Sequence, residues 1–297
     1  GYTLRSTFEA SQYYEQEKND SYAAATIMQM NETYTGTIGM DEDEDFYKID
    51  VPTAGKLILN FKHIYKDYSG NGWNVDIYKY ENGEYKELSS SRIQFTDNEN
   101  MQLPFIGTTA GSVYYIKISR YWNSIGDIYR ISNTFQPTEY CEKEINDSYE
   151  TATDLSVNQT YQGVLNSNDD EDFWRISAPK GGLLGIYFGH SYKDSYDGWN
   201  AYVYQYIDGE YRELGNCTIQ LNDRKSLKLA DIPVNTNGTY YVKIKNKYGA
   251  GAEDYQLNAK YIAEKPSYLR GNIRKNTVTL SWESVKGADG YEVYCKK

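Results

Sequence analysis

Acidic and amide side chains gather twice in this 297-residue chain, in the same order and 127 positions apart. The first gathering is Glu15-Gln-Glu17-Lys-Asn19-Asp20-Ser21-Tyr22, and the second is Glu142-Lys-Glu144-Ile-Asn146-Asp147-Ser148-Tyr149. Each is answered about twenty-five residues downstream by a second knot of acid, Asp41-Glu42-Asp43-Glu44-Asp45 or Asp169-Asp170-Glu171-Asp172. Carboxylates this dense repel by roughly 1 kcal/mol per pair at 4 Å even in water. Few bases stand nearby in the sequence to offset them. A hard divalent cation does so, and Ca²⁺ takes roughly six to eight oxygens from carboxylates, amides and backbone carbonyls. The chemistry these residues point to is Ca²⁺ ligation, with a linker and a distant knot sharing the ion.

Other chemistries fit less well. Asp41-x-Asp43-x-Asp45 opens like an EF-hand loop, but that loop needs Gly at its sixth position, where Phe46 and Phe173 stand. His63 and His190 occupy matched positions in His63-Ile-Tyr65-Lys66-Asp67 and His190-Ser-Tyr192-Lys193-Asp194. No serine elbow or HExxH accompanies them, so they read as loop residues inherited by duplication and the chain as non-catalytic. Cys141, Cys217 and Cys295 are odd in number and lack CxxC spacing, which defines neither a disulfide framework nor a zinc site. A Cys141–Cys217 bridge and incidental free thiols both remain open. The Asn31, Asn158, Asn216 and Asn237 sequons read as chance.

The elements that must position these acids are strands. The chain has 33 Tyr and 24 Gly, few long runs of helix formers, and a net charge of −11. Nucleic acid is excluded as a partner, since phosphate binding needs clustered Lys and Arg. The longest apolar run, Gly181 to Gly189, is too short to cross a bilayer as a helix. Within each repeat the acid knot runs into Phe46–Val51 or Phe173–Ile176, followed by a Pro/Gly turn at Pro52–Gly55 or Pro179–Gly182. Trp73-Asn-Val-Asp-Ile-Tyr-Lys-Tyr80 and Trp199-Asn-Ala-Tyr-Val-Tyr-Gln-Tyr206 alternate as half-buried strands do. Asn82-Gly83 and Asp208-Gly209 then signal tight hairpins. The expected fold is all-β, a tandem of jelly-roll-like antiparallel β-sandwiches.

Tyr2–Phe8 matches Tyr129–Phe135, and Tyr255–Tyr261 repeats that ending a third time. Residues 1–12 are therefore expected to be the last strand of a preceding repeat, with sandwiches over 13–135 and 140–262. The chain opens at Gly1 without a signal-peptide pattern, as expected of a processed or excised piece of a longer array. Residues 265–297 change character, with strands expected at Asn276–Trp282 and Gly290–Tyr294. On the Trp73 strand, Trp73, Val75 and Ile77 fall on one face and Tyr78 and Tyr80 on the other. Tyr78, Tyr80, Tyr115, Tyr204, Tyr206 and Tyr241 are the candidate contact row, since exposed Tyr offers a stiff area with a polar tip.

The Glu-x-Glu-x-Asn-Asp linker, the Gly36 and Gly163 turns, the acid knot, the Trp-Asn strand and the Tyr-Tyr-x-Lys strand together resemble the bacterial pre-peptidase C-terminal domain. That family includes the collagen-binding domains of clostridial collagenases. The Trp282 strand resembles the opening of a fibronectin type III domain, truncated here. The first resemblance implies secreted or cell-surface modules, attached to peptidases or other surface proteins and themselves non-catalytic. It also implies a ligand set. In the second repeat this is Glu142, Glu144, Asn146, Asp147, the Gly163 carbonyl, Asp169 and Asp172. In the first it is Glu15, Glu17, Asn19, Asp20, the Gly36 carbonyl, Asp41, Glu42 and Asp45. Two roles stay open: calcium-stiffened spacers between neighbouring domains of one chain, or adhesive modules for carbohydrate or extracellular-matrix protein.

Overall fold

The computed structural model describes residues 1–7, 10–39, 42–67, 70–122, 126–249, 252–262, 266–275, 277–285 and 290–294. Asp41 and Cys295 lie outside them. The chain divides into two compact units whose longest continuous parts are Gly1–Ile145 and Asp169–Ala250. Among the described residues the one helical element is the 3₁₀ turn Tyr22–Ala24, and the fold is all-β.

The first unit contains β1 (Thr26–Ile27), β2 (Thr33–Thr37), β3 (Glu44–Val51), β4 (Gly55–Lys62) and β5 (Gly72–Glu81). These are followed by β6 (Glu84–Gln94), β7 (Asn100–Gln102), β8 (Ile106–Thr108), β9 (Ser112–Tyr121) and β10 (Ile128–Pro137). One sheet runs β1-β3-β9-β5-β6 and the other β2-β10-β4-β7, with β8 also on β4. All pairings are antiparallel except β1 with β3. Alternation along each strand sends one set of side chains into a shared core of Tyr47, Ile49, Phe61, Trp73, Val75, Phe95 and Tyr129. Trp73, Val75 and Ile77 are buried as their spacing predicts. The β5–β6 hairpin closes through Asn82 and Gly83, both at positive φ (53° and 86°), the geometry that makes Asn-Gly the favoured hairpin pair.

The second unit repeats this plan. Its strands are β11 (Thr153–Asp154), β12 (Thr160–Val164), β13 (Glu171–Ser177), β14 (Gly182–His190) and β15 (Gly198–Ile207). They continue with β16 (Glu210–Gln220), β17 (Ser226–Val234), β18 (Thr239–Lys247) and β19 (Asp254–Ile262). The sheets run β11-β13-β18-β15-β16 and β12-β19-β14-β17 around a core centred on Trp174, Phe188, Trp199 and Tyr255.

Several expectations need correction. Residues 1–7 form no strand and are exposed, although their counterparts in β10 do. β10 is held by β2 and β4 together, and no described strand pairs with residues 1–7. In the tail, β20 (Arg270–Arg274) pairs with β21 (Thr277–Ser281), while Gly290–Tyr294 is not a strand. His63 and His190 are core-edge residues, 3% and 8% exposed. Each imidazole Nδ1 meets the next residue's carbonyl, at 3.2 Å (Ile64) and 2.9 Å (Ser191), and each ring leans on Trp73 or Trp199. Packing against Trp73 and Trp199 accounts for the matched pair, with His63 just past the end of β4 and His190 at the end of β14. Cys141 and Cys217 are free thiols, Cys141 buried and pushed up to about 11 by that burial. Asn31, Asn158 and Asn237 all sit at positive φ (63°, 67° and 60°), so turn geometry suits the asparagines there.

Candidate metal centre

Five acids of the first repeat come together beside the start of β3. β3 carries Asp45 inward because the strand's pleat alternates Asp45, Tyr47, Ile49 and Val51 toward the core. The linker reaches the same place through backbone pairing: the Glu15 amide donates to the Thr35 carbonyl at 3.0 Å, and the Phe46 amide donates to Asn19 O at 3.1 Å. Glu15, Glu17 and Asp45 then offer carboxylate oxygens all within 4.8 Å of one another. Glu17, Asp20 and Asp43 do the same, so Glu17 joins two triads into one cluster of five acids.

A tyrosine braces the inner side. The Tyr129 hydroxyl lies 2.5 Å from Asp45 Oδ2, 2.9 Å from the Tyr47 hydroxyl and 3.3 Å from Glu15 Oε2. With one proton to give, it donates over the shortest distance, to Asp45, while Tyr47 donates to it. Thr37 supplies both its amide (2.8 Å) and its hydroxyl (3.2 Å) to Glu15 Oε1. Gly36 sits across from Tyr129 in the β2–β10 ladder. A Cβ there would stand 2.3 Å from both Glu15 Oε2 and the Tyr129 oxygen. Gly36→Ala is thus expected to destabilise the first sandwich by roughly 1–3 kcal/mol through overpacking, read as a lower urea midpoint at an unchanged slope.

Electrostatically the cluster is short of positive charge. Burial, and after it the charge on Glu15, pushes the Asp45 carboxyl up to about 9, although the Tyr129 hydrogen bond pulls the other way. Burial likewise raises Glu15 and Glu17, and Asp43, Glu15 and Asp20 raise Glu17 further. Glu44, pointing away along the pleat, has its own base, Lys117 at 2.7 Å. Asp45 Oδ1 and Asn19 Oδ1 are both buried and accept no hydrogen bond. Buried oxygens are normally satisfied, and leaving one unmet costs about 1–3 kcal/mol. Two orphan oxygens beside five carboxylates fit a hard oxygen-loving cation such as Ca²⁺.

Of the acids named from their spacing, Glu15, Glu17, Asp20 and Asp45 come together. Glu42 is exposed and stands outside both triads, whereas its neighbour Asp43 joins one. In the second repeat Asp169 is likewise exposed and the equivalent of Asp43, Asp170, is buried. The signal was present: carrying β3's alternation one residue upstream puts Asp43 on the Asp45 face. Tyr129 was noted only as a repeated ending, and its bracing role was missed.

The second repeat shows the same local parts within each unit. In the first unit Glu142 and Glu144 are buried, with the Glu144 amide donating to Gly107 O at 2.9 Å and its carbonyl accepting from Lys79 Nζ at 2.8 Å. Glu142 packs so tightly on Gly107 that a Cβ there would lie 2.2 Å from its carbonyl oxygen. In the second unit Asn146 is buried and its carbonyl accepts the Phe173 amide at 3.0 Å, and Asp147 is exposed. Tyr255, facing Gly163, approaches Asp172 Oδ2 at 2.5 Å and receives the Trp174 indole N–H at 2.8 Å. Trp174 replaces Tyr47 and can only donate, so Tyr255 must give its proton to Asp172.

The outward tyrosines are not a bare row. Tyr22 stacks on Tyr85 at 3.6 Å and meets Phe46, Tyr78 and Tyr115 edge-on. Tyr149 does the same with Tyr211, Phe173, Tyr204 and Tyr241. Tyr115 and Tyr241 are consequently buried, 8% and 6% exposed, and Tyr78 and Tyr204 are half-buried. Tyr80 and Tyr206 keep open faces, as do Tyr85 and Tyr211. The tyrosine that follows each acidic linker thus clamps it to the sheet.

The chain is 24% identical over 165 residues to collagenase ColT of Clostridium tetani, a match covering 54% of this chain and 16% of that protein. The chain thus spans about a sixth of the length of that relative. The pre-peptidase C-terminal domain of a Bacillus anthracis collagenase superposes with a TM-score of 0.28 at 18% identity, over 37% of this chain and 94% of that one. A tandem CBM22 pair from Paenibacillus barcinonensis Xyn10C gives a TM-score of 0.23 at 11% identity, over 72% and 82% of the two chains. No family model matches. Among the described residues no helix is long and apolar enough to cross a membrane.

Proposed function

We propose that the two pre-peptidase C-terminal-like sandwiches are calcium-binding accessory modules of a secreted or cell-surface multidomain bacterial protein, with no catalytic role of their own. The observation that carries this is the first acid cluster, in which buried Asp45 and Asn19 oxygens lack partners beside carboxylates from a distant linker. Glu15, Glu17, Asn19, Asp20, Asp43, Asp45 and the Gly36 carbonyl would be the ligands there. By sequence equivalence Asn146, Asp147, Asp170, Asp172 and the Gly163 carbonyl would be the second sandwich's own ligands. One ion tying the linker to its sandwich fixes the path of the chain entering that sandwich, which suits a spacer. The segment from Arg270 onward we take as the opening hairpin of a fibronectin type III-like domain.

The test is a thermal melt of the whole chain in calcium and in chelator. An ion binding only the folded form at a hundredfold excess over its Kd adds about 2.7 kcal/mol. For sandwiches of this size that is a rise in Tm on the order of 10 °C. Superposed melts would overturn the reading.

A further inference from the structure

The outward face of the second sandwich carries a groove of about 550 Å³, lined by Asp154, Arg175, Ser177, Tyr206, Thr239 and Tyr241 among others. Strand register sets these residues in two adjacent rows. Asp154 stands beside Arg175, Arg175 opposite Tyr241, and Tyr241 opposite Tyr204. Two residues along, Ser177 faces Thr239 and Thr239 faces Tyr206. A shift of two keeps both rows on one face of the sheet.

The chemistry of the rows is specific. Arg175 gives Nε and Nη2 to the two oxygens of Asp154 at 2.6 and 2.9 Å, a planar fork that pins both side chains. The pair is not hidden: the two side chains are 39% and 66% exposed. Five guanidinium N–H groups exceed what one carboxylate takes up, and each carboxylate oxygen keeps a further lone pair. The fork therefore presents donors and acceptors side by side with no net charge. Beside it the Tyr206 ring is 44% exposed and is held by Tyr211 at 4.9 Å and 41°.

Charge and size narrow the ligand. An anion gains little, because Asp154 neutralises Arg175, and a cation gains little for the converse reason. Vicinal hydroxyls, each both donor and acceptor, match a neutral fork, and the C–H face of a sugar ring matches a flat tyrosine with a polar tip. The volume lies in the range of roughly 300–1,000 Å³ typical of small-ligand sites. We propose that the second sandwich binds a neutral oligosaccharide here, stacked on Tyr206 and read through its vicinal hydroxyls by Asp154 and Arg175.

The first sandwich supplies the control. At the same register positions it has Ile27, Lys48 and Tyr115 in one row and Asp50, Val113 and Tyr80 in the next. Ile27 is 67% exposed where the carboxylate would stand, and Lys48 turns to Asp50 at 3.1 Å. The stacking tyrosine is present without the fork. The proposal stands apart from the calcium reading, since no residue of the acid clusters lines the groove.

The experiment is calorimetric titration of the full chain with cellohexaose, xylohexaose, chitohexaose and mannohexaose. At least one is expected to bind with one site per chain. Tyr206→Ala and Asp154→Asn should each weaken that binding about tenfold, the loss of roughly 1.4 kcal/mol, while Tyr80→Ala leaves it unchanged. Asp154 and Tyr206 are 66% and 44% exposed, and unchanged melts would confirm that the variants fold. The proposal is overturned if none of the four binds by about 10 mM, if binding survives both substitutions, or if Tyr80→Ala abolishes it.

Discussion

The calcium affinity of the first sandwich is expected to rise about tenfold per pH unit between roughly pH 5 and 8. The cause is Asp45. Its carboxyl is pushed from 3.8 up to about 9 in the folded chain, so at neutral pH the metal-free fold holds a proton that the unfolded chain has lost. The sign follows from linkage: a raised folded pKa contributes stability that is full below about pH 4 and is lost as pH climbs toward 9. Metal ligation requires the carboxylate, so each ion bound at pH 7 should expel about one proton. Calcium and pH then act in opposite senses on the metal-free and metal-bound forms, and the gap between their melting temperatures should widen as pH rises. Calorimetry in two buffers of different ionisation enthalpy counts the protons directly. A flat affinity across this range would contradict the assignment of Asp45.

Asp45→Asn should separate stability from ion binding. The amide fills the same space, cannot ionise, and still accepts the Tyr129 proton. Without the buried acid, the metal-free first sandwich should hold its Tm as pH rises from about 6 to 8, where the unmodified chain loses ground. In calcium the order should invert. Losing a supporting outer-shell group costs roughly 10–100-fold in metal affinity, and a direct oxygen ligand should cost at least that, removing the calcium shift of this sandwich. The inversion is the informative feature, because a merely structural Asp45 would leave the variant less stable under both conditions. Melts at pH 8 in calcium and in chelator decide it.

The fold was largely legible because its signals are local. The period of two around Trp73 and Trp199, and the Asn82-Gly83 and Asp208-Gly209 turns, act over a few residues and survive in the structure. The acid cluster was legible at its two ends, since Asp45 and the Glu15–Asp20 linker repeat as units. Its middle was not. Choosing Asp43 over Glu42 needed β3's alternation to be carried past Glu44, where its pairing with β9 begins. The burial of Tyr115 was hidden for a similar reason: nothing in the spacing of Tyr78 and Tyr115 shows that Tyr22, far off in sequence, lies against them. The Asp154–Arg175 fork was equally hidden, because it forms across a two-residue parallel strand pair.

The central claim is that linker and knot close on one ion in the first sandwich. Its most direct test is a metal count: equilibrate the whole chain and its Glu15→Gln/Asp45→Asn double variant with calcium, remove free ion, and measure bound calcium by elemental analysis. The account predicts one equivalent fewer per chain in the double variant, with its fold intact by circular dichroism. Equal calcium in the two proteins, or none in either, would contradict it.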